Sequence, residues 1–135
     1  MKCRKKLLAV LALVLLGALL LTGCGEAETS VSVTIVNRSG HDVTSVCITP
    51  STDSEWGENF VGDLLTDGDS VAALLGTYKE SEVPAAWNIL VYGEEDYILY
   101  DTSVDELDFE LTDGDYVVLL PPEGEVPIEI VSDYD

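Results

Sequence analysis

The chain has 135 residues, of which 26 are acidic and only six are Lys or Arg, giving a formal net charge of −20. Binding to nucleic acid depends on a basic surface that neutralises phosphates, so this composition excludes that class of function. Direct adsorption to anionic lipid is disfavoured for the same reason. The length corresponds to one domain, which is large enough to bury a core without metals or disulfides.

The first 23 residues have the pattern of an export signal. An apolar run at residues 7–21 follows a basic start and leads to small residues before a cysteine. The basic residues are Lys2, Arg4, Lys5 and Lys6. A membrane-spanning helix is the alternative, but it needs ~20 apolar residues to cross ~30 Å of hydrocarbon. At ~1.5 Å rise per residue, residues 7–21 reach only about 22 Å.

The tetrapeptide Leu21-Thr22-Gly23-Cys24 stands directly at the end of the apolar run. It resembles the bacterial lipobox. The resemblance implies attachment of diacylglycerol to Cys24 through a thioether, cleavage before Cys24, and acylation of the new N-terminus by a fatty acid such as palmitate. One acyl chain gives marginal membrane binding and two give stable binding. We therefore expect a lipid-anchored protein on the extracytoplasmic face of the cell membrane; an ordinary secretory signal with an accidental cysteine is the alternative.

Cleavage at that point changes the charge of the chain. Only Arg38 and Lys79 would remain against all 26 acidic residues, giving a formal charge of about −24. An acidic surface of this kind suits solubility, a basic partner or cations. The predicted organisation is a signal peptide at 1–23, a lipidated cysteine with a short tether at 24–30, and one domain at 31–135.

The three cysteines have different predicted fates. Cys3 leaves with the signal peptide and Cys24 takes the lipid, so the mature chain is expected to hold no disulfide. Cys47 stands in the strand-like run Val46-Cys47-Ile48 and is expected to behave as a small buried apolar residue.

Beyond residue 30, apolar residues alternate with period two or form short β-branched runs, which is typical of strands. No segment there shows a sustained helical period. The pattern predicts a single all-β domain, an antiparallel β-sandwich of Ig-like or C2-like type with about 7–9 strands, and a barrel as second choice. The predicted strands are residues 31–35, 43–49, 60–65, 70–75, 87–92, 97–102, 107–111, 116–120 and 126–131.

One phrase occurs twice, as Thr66-Asp67-Gly68-Asp69 and Thr112-Asp113-Gly114-Asp115, each directly before an apolar run. Glycine supplies a positive φ at no steric cost, and aspartate tolerates the neighbouring turn position. The repetition therefore predicts the same turn in front of two strands, because no similarity extends beyond it.

Calcium is the one metal that the acidic composition suggests as a ligand, because Ca²⁺ takes six to eight oxygen ligands from carboxylates and carbonyls. The loop around Trp56 and the turn after it carry the candidate ligands Asp53, Glu55, Glu58, Asp63, Asp67 and Asp69. No run matches the EF-hand pattern, and a chain this acidic produces clusters by chance. Trp56 itself, in a polar loop, is a candidate for contact with a carbohydrate or peptide.

Catalytic motifs are missing from the sequence. His41 is the only histidine, and no Gly-x-Ser-x-Gly elbow is present, so a Ser-His-Asp hydrolase would need a cleft that brings His41 to a nucleophile. One histidine and one remaining cysteine are too few ligands for zinc. We expect a protein that is not an enzyme and needs no cofactor, unless calcium binds.

The order of features from residue 33 to about residue 111 is similar to small, poorly characterised extracytoplasmic β-sandwich domains of bacterial lipoproteins and secreted proteins. It runs from the turn Asn37-Arg38-Ser39-Gly40 through Trp56-Gly57-Glu58-Asn59 to the acidic hairpin at residues 90–96. The resemblance implies an all-β fold and no established activity. The expected function is binding of a protein or glycan, or envelope structure; the alternative is a calcium-dependent adhesion or carbohydrate-binding module.

Overall fold

The computed structural model describes residues 27–104 and 107–134; the predicted signal peptide and Cys24 lie outside these ranges. The described chain is almost entirely strand and turn, which confirms the all-β prediction. It contains seven strands, β1 (Glu28–Asn37), β2 (Ser45–Pro50), β3 (Ser70–Lys79), β4 (Trp87–Tyr92), β5 (Ile98–Asp101), β6 (Tyr116–Leu119) and β7 (Ile128–Val131). Two single 3₁₀ turns occupy Glu80–Glu82 and Glu94–Asp96.

The strands form two sheets, one of four strands in the order β3-β1-β6-β7 and one of three in the order β2-β4-β5. β1 is antiparallel to β3 but parallel to β6, which corrects the prediction of a wholly antiparallel fold. Antiparallel neighbours follow from short hairpins, whereas parallel strands need a longer crossover. β1 ends at Asn37 and β6 begins at Tyr116, and the long connection between them, which includes the second sheet, allows the parallel direction.

One hydrophobic cluster contains residues from both sheets. The inward positions of β1 alternate along the strand, as period-two patterning requires, and Ile35 is fully buried. From the other sheet, Ile89, Val91 and the fully buried Trp87 join the same cluster. Burial of apolar surface at roughly 25 cal/mol per Å² is the main force that holds such a cluster together.

Two predicted strands are present only as isolated bridges. Residues 60–65 contribute a single bridge from Leu65 to Val43, and residues 107–111 contribute one from Phe109 to Trp87. Conversely, β3 continues to Lys79 and β1 begins at Glu28, because these two residues pair with each other across the sheet. The period-two pattern underestimated the length of both strands, because the residues at these ends are mostly polar.

The strand register defines two ends of the domain. At the near end, where β1 begins, Glu28 pairs with Lys79, and the ring of Tyr78 packs edge-on against Trp87 at 6.2 Å. At the far end, β1 finishes at Asn37, ten residues after it began. A strand rises ~3.3 Å per residue, so the two ends are roughly 30 Å apart.

Candidate functional site

The predicted Trp56 site lies at the near end, where β2 finishes and β4 begins. A cavity of about 100 Å³, here called the Trp56 cavity, is lined by Thr49, Pro50, Asp53, Ser54, Glu55, Trp56, Asn88 and Ser103. The structure therefore brings together Asp53, Glu55 and Trp56 of the residues that the sequence predicted.

The Trp56 loop is fastened to β2 by hydrogen bonds. The backbone N–H of Gly57 donates to the Thr49 hydroxyl at 3.0 Å. The side-chain oxygen of Asn59 accepts from the backbone N–H of Val46 at 3.0 Å. Trp56 is half-buried and packs on a small cluster on β2 and β4 made of Cys47, Leu90 and Tyr92. The Trp-Gly-Glu-Asn motif thus has a structural role, covering the edge and one face of the three-stranded sheet.

The remaining predicted calcium ligands do not lie in the Trp56 cavity. Asp67 accepts a hydrogen bond from the backbone N–H of Gly40 at 2.9 Å, and Asp69 accepts one from the Thr66 hydroxyl at 2.5 Å. Asp63 is exposed and Glu58 is half-buried, and neither lines the cavity. In residues 27–104 and 107–134, no three His, Cys, Asp or Glu side chains gather in a way that would hold a metal ion.

The repeated Thr-Asp-Gly-Asp phrase forms the same turn twice, as predicted. Gly68 and Gly114 have φ of +94° and +93°. Each glycine donates its N–H to a carbonyl of β1, Gly68 to Asn37 at 2.6 Å and Gly114 to Ser32 at 2.7 Å. The turns lead directly into β3 and β6, the two neighbours of β1. Their aspartates therefore serve to place strands.

A buried asparagine organises the far end. Asn37 is fully buried, and its amide nitrogen donates to the carbonyls of His41 at 2.7 Å and Leu65 at 2.8 Å. Its side-chain oxygen accepts from the N–H and the hydroxyl of Ser39 at 3.0 and 2.6 Å. These four bonds hold the turn after β1 against the segment that precedes β3.

A second concave region lies at the far end and was not predicted. This far groove is open, with a volume of about 1010 Å³, and three connections line it. They are the turn after β1, the β4–β5 hairpin and the β6–β7 loop, which contribute Gly40, His41, Asp42, Gly93, Glu94, Glu95, Tyr97, Ile98, Leu99, Pro122 and Glu123. One partial signal was present in the sequence, the acidic tip of the hairpin beside an aromatic residue, but the other two walls are distant along the chain.

The β4–β5 hairpin presents two large apolar side chains at this groove. The Gly93 N–H donates to the Tyr97 carbonyl at 2.7 Å, and the Tyr97 N–H donates to the Glu94 carbonyl at 3.0 Å. Glu95 adopts a left-handed φ of 57°, a conformation that costs roughly 1–2 kcal/mol outside glycine. This tight turn leaves Tyr97 71% and Ile98 49% exposed.

His41 is one of the residues that line the far groove. His41 is exposed on its wall, but no Ser, Thr or Cys is among the residues that line it. Acid–base catalysis by His41 would require a nucleophile within hydrogen-bonding reach. The lining also supplies four carboxylates and the apolar side chains of Tyr97, Ile98 and Leu99.

Tyr100, on β5, lies in the hydrophobic core. It is buried, and its hydroxyl has no hydrogen-bond partner among the described residues. Burial, and secondly the negative charge of Glu123 on the groove wall, raise the pKa of the Tyr100 hydroxyl well above its ordinary value.

Cys47 is fully buried on β2, as predicted, and is disulfide-bonded. Its partner lies outside the described residues. The sequence analysis expected no disulfide in the mature chain and did not predict this bond.

Within residues 27–104 and 107–134, no helix has the length and apolar character needed to cross a membrane. The chain matches no protein-family model, no curated protein and no solved structure.

Proposed function

We propose that this chain is a bacterial lipoprotein, anchored by lipid on Cys24, whose extracytoplasmic domain binds a partner without catalysis. The observation that carries the anchoring proposal is the tetrapeptide Leu21-Thr22-Gly23-Cys24 at the end of the apolar run 7–21. Because two acyl chains give stable membrane binding, the protein surface need not supply membrane affinity.

The beginning of β1 at Glu28 supports a domain held close to the bilayer. Only residues 25–27 separate Cys24 from the strand, which is three residues fewer than the predicted tether of 24–30. Three extended residues span at most about 10 Å. Anchoring at Cys24 would therefore hold the near end of the domain against the membrane and direct the far end away from it.

A β-sandwich of Ig-like or C2-like type is the proposed form of this domain. Its support is the larger hydrophobic cluster, to which both sheets contribute residues. Sandwiches carry binding residues on the loops at their ends. The far groove, built from three such connections, supports a role in binding over a purely structural one.

Processing of the precursor tests the anchoring proposal. Cells expressing wild-type, Cys24→Ala or Cys3→Ala chains would be labelled with radioactive palmitate, and each product sized on a gel. We expect label and cleavage in wild type and in Cys3→Ala, the matched control. The Cys24→Ala chain should remain an unlabelled precursor, and normal processing of that variant would refute the proposal.

The alternative is a calcium-dependent adhesion or carbohydrate-binding module. One observation favours it, namely that Asp53, Glu55 and Trp56 line the same cavity. An aromatic ring beside carboxylates suits contact with a sugar. This alternative has weaker support, because the other four predicted ligands do not line the cavity.

A further inference from the structure

We propose that the far groove is a docking site for an extended cationic segment of another protein, with Lys or Arg side chains on its acidic walls and apolar side chains against Tyr97 and Ile98. The proposal deepens the binding role given above and rests on it for the orientation of the groove.

Charge is the first argument for a cationic occupant. Asp42, Glu94, Glu95 and Glu123 come from all three connections that line the groove, and the lining contains no Lys or Arg. Walls of one sign concentrate the field inside a cleft and raise the local concentration of the opposite charge. An anionic ligand, including a phospholipid headgroup or a nucleic acid, would be repelled.

Exposed apolar surface is the second argument, and it distinguishes a peptide from a simple cation. Tyr97 and Ile98 are neighbours in sequence and are 71% and 49% exposed. A metal ion makes no favourable contact with exposed apolar surface. Protein interfaces, in contrast, are enriched in aromatic residues with an apolar body and a polar tip. A groove of about 1010 Å³ also has room for several residues of a peptide.

Position is the third argument. The groove lies at the end of β1 that is opposite to Glu28, roughly 30 Å along the strand. On a chain anchored at Cys24, the groove would face away from the bilayer, where a partner in the surrounding compartment can reach it. The Trp56 cavity, by contrast, would lie beside the membrane.

Fluorescence anisotropy tests this proposal with the full chain in non-ionic detergent. One labelled probe is a short peptide of alternating arginine and valine; the second, of equal charge, alternates arginine and serine. We expect the arginine–valine peptide to bind about tenfold more tightly. The double variant Tyr97→Ser/Ile98→Ser should abolish that preference. Equal binding of both peptides by wild type, or no binding of either, would overturn the proposal.

A pair of charge-matched variants tests the location. Glu94→Gln/Glu95→Gln/Glu123→Gln removes three charges from the groove and should weaken binding about tenfold at low salt. Asp53→Asn/Glu80→Gln/Glu82→Gln removes three exposed charges at the near end. This variant should change the affinity for the peptide less than about threefold. Equal weakening of binding by both variants would show an effect of net charge alone and overturn the proposal.

Thermal melting checks that each variant is folded. Since the readout does not depend on lipid at Cys24, failure here and failure of the anchoring proposal are distinguishable.

Discussion

Replacing Asn37 with alanine removes the four side-chain hydrogen bonds that fix the far end of the domain. A hydrogen bond inside a protein contributes roughly 0.5–1.5 kcal/mol net, and a buried group left without a partner costs about 1–3 kcal/mol. The Leu65 carbonyl keeps a second donor, the N–H of Val43 at 2.9 Å. The Ser39 N–H, in contrast, loses the acceptor that Asn37 provides. We therefore expect a loss of about 3 kcal/mol in the free energy of unfolding.

Urea denaturation of the processed chain in non-ionic detergent measures this loss. With a slope near 2 kcal/mol per molar, typical of a domain this size, the midpoint should fall by about 1.5 M. The matched control is Asn88→Ala, because the Asn88 amide is only half-buried and donates to the Leu107 carbonyl and the Asp108 carboxylate. The control should lose less than about 1 kcal/mol. Equal losses in the two variants would refute the idea that burial makes Asn37 the organising residue.

Three further predictions follow from the turns, the core and the carboxylates. Gly68→Ala and Gly114→Ala should each lower the free energy of unfolding by about 1–2 kcal/mol, because both glycines have a positive φ; a neutral result in the same urea assay would contradict this. Since the folded pKa of Tyr100 lies above its ordinary value of 10.0, its contribution to stability is constant below that pH and is lost as the pH rises further. Tyr100→Phe should therefore flatten the fall in stability above about pH 10, and an unchanged slope would count against it. Millimolar calcium should raise the melting temperature no more than magnesium does; a rise specific to calcium would favour the adhesion alternative.

Local patterns in the sequence predicted local structure well. The strand Trp87–Tyr92 has the predicted bounds because the mostly apolar run there is bounded by Gly93. The two Thr-Asp-Gly-Asp turns also have the predicted conformation, since the glycine requirement is set by backbone sterics alone. Both features depend on residues that are neighbours along the chain.

Features that depend on distant residues escaped prediction. Direction in a sheet depends on the crossover taken between strands, so the parallel pairing of β1 with β6 carried no sequence signal. The far groove joins His41, Glu94 and Glu123, which the fold alone brings together. The predicted calcium ligands do not lie together in the structure. Asp67 and Asp69 instead accept hydrogen bonds from Gly40 and Thr66.

The chemical state of the Cys24 sulfur tests the anchoring proposal most directly, because one sulfur atom cannot form both a thioether and a disulfide. Mass spectrometry of the unreduced mature chain measures this state. We predict an N-terminal Cys24 that carries diacylglycerol. An intact N-terminus without lipid, or a Cys24 joined in a disulfide, would contradict the proposal.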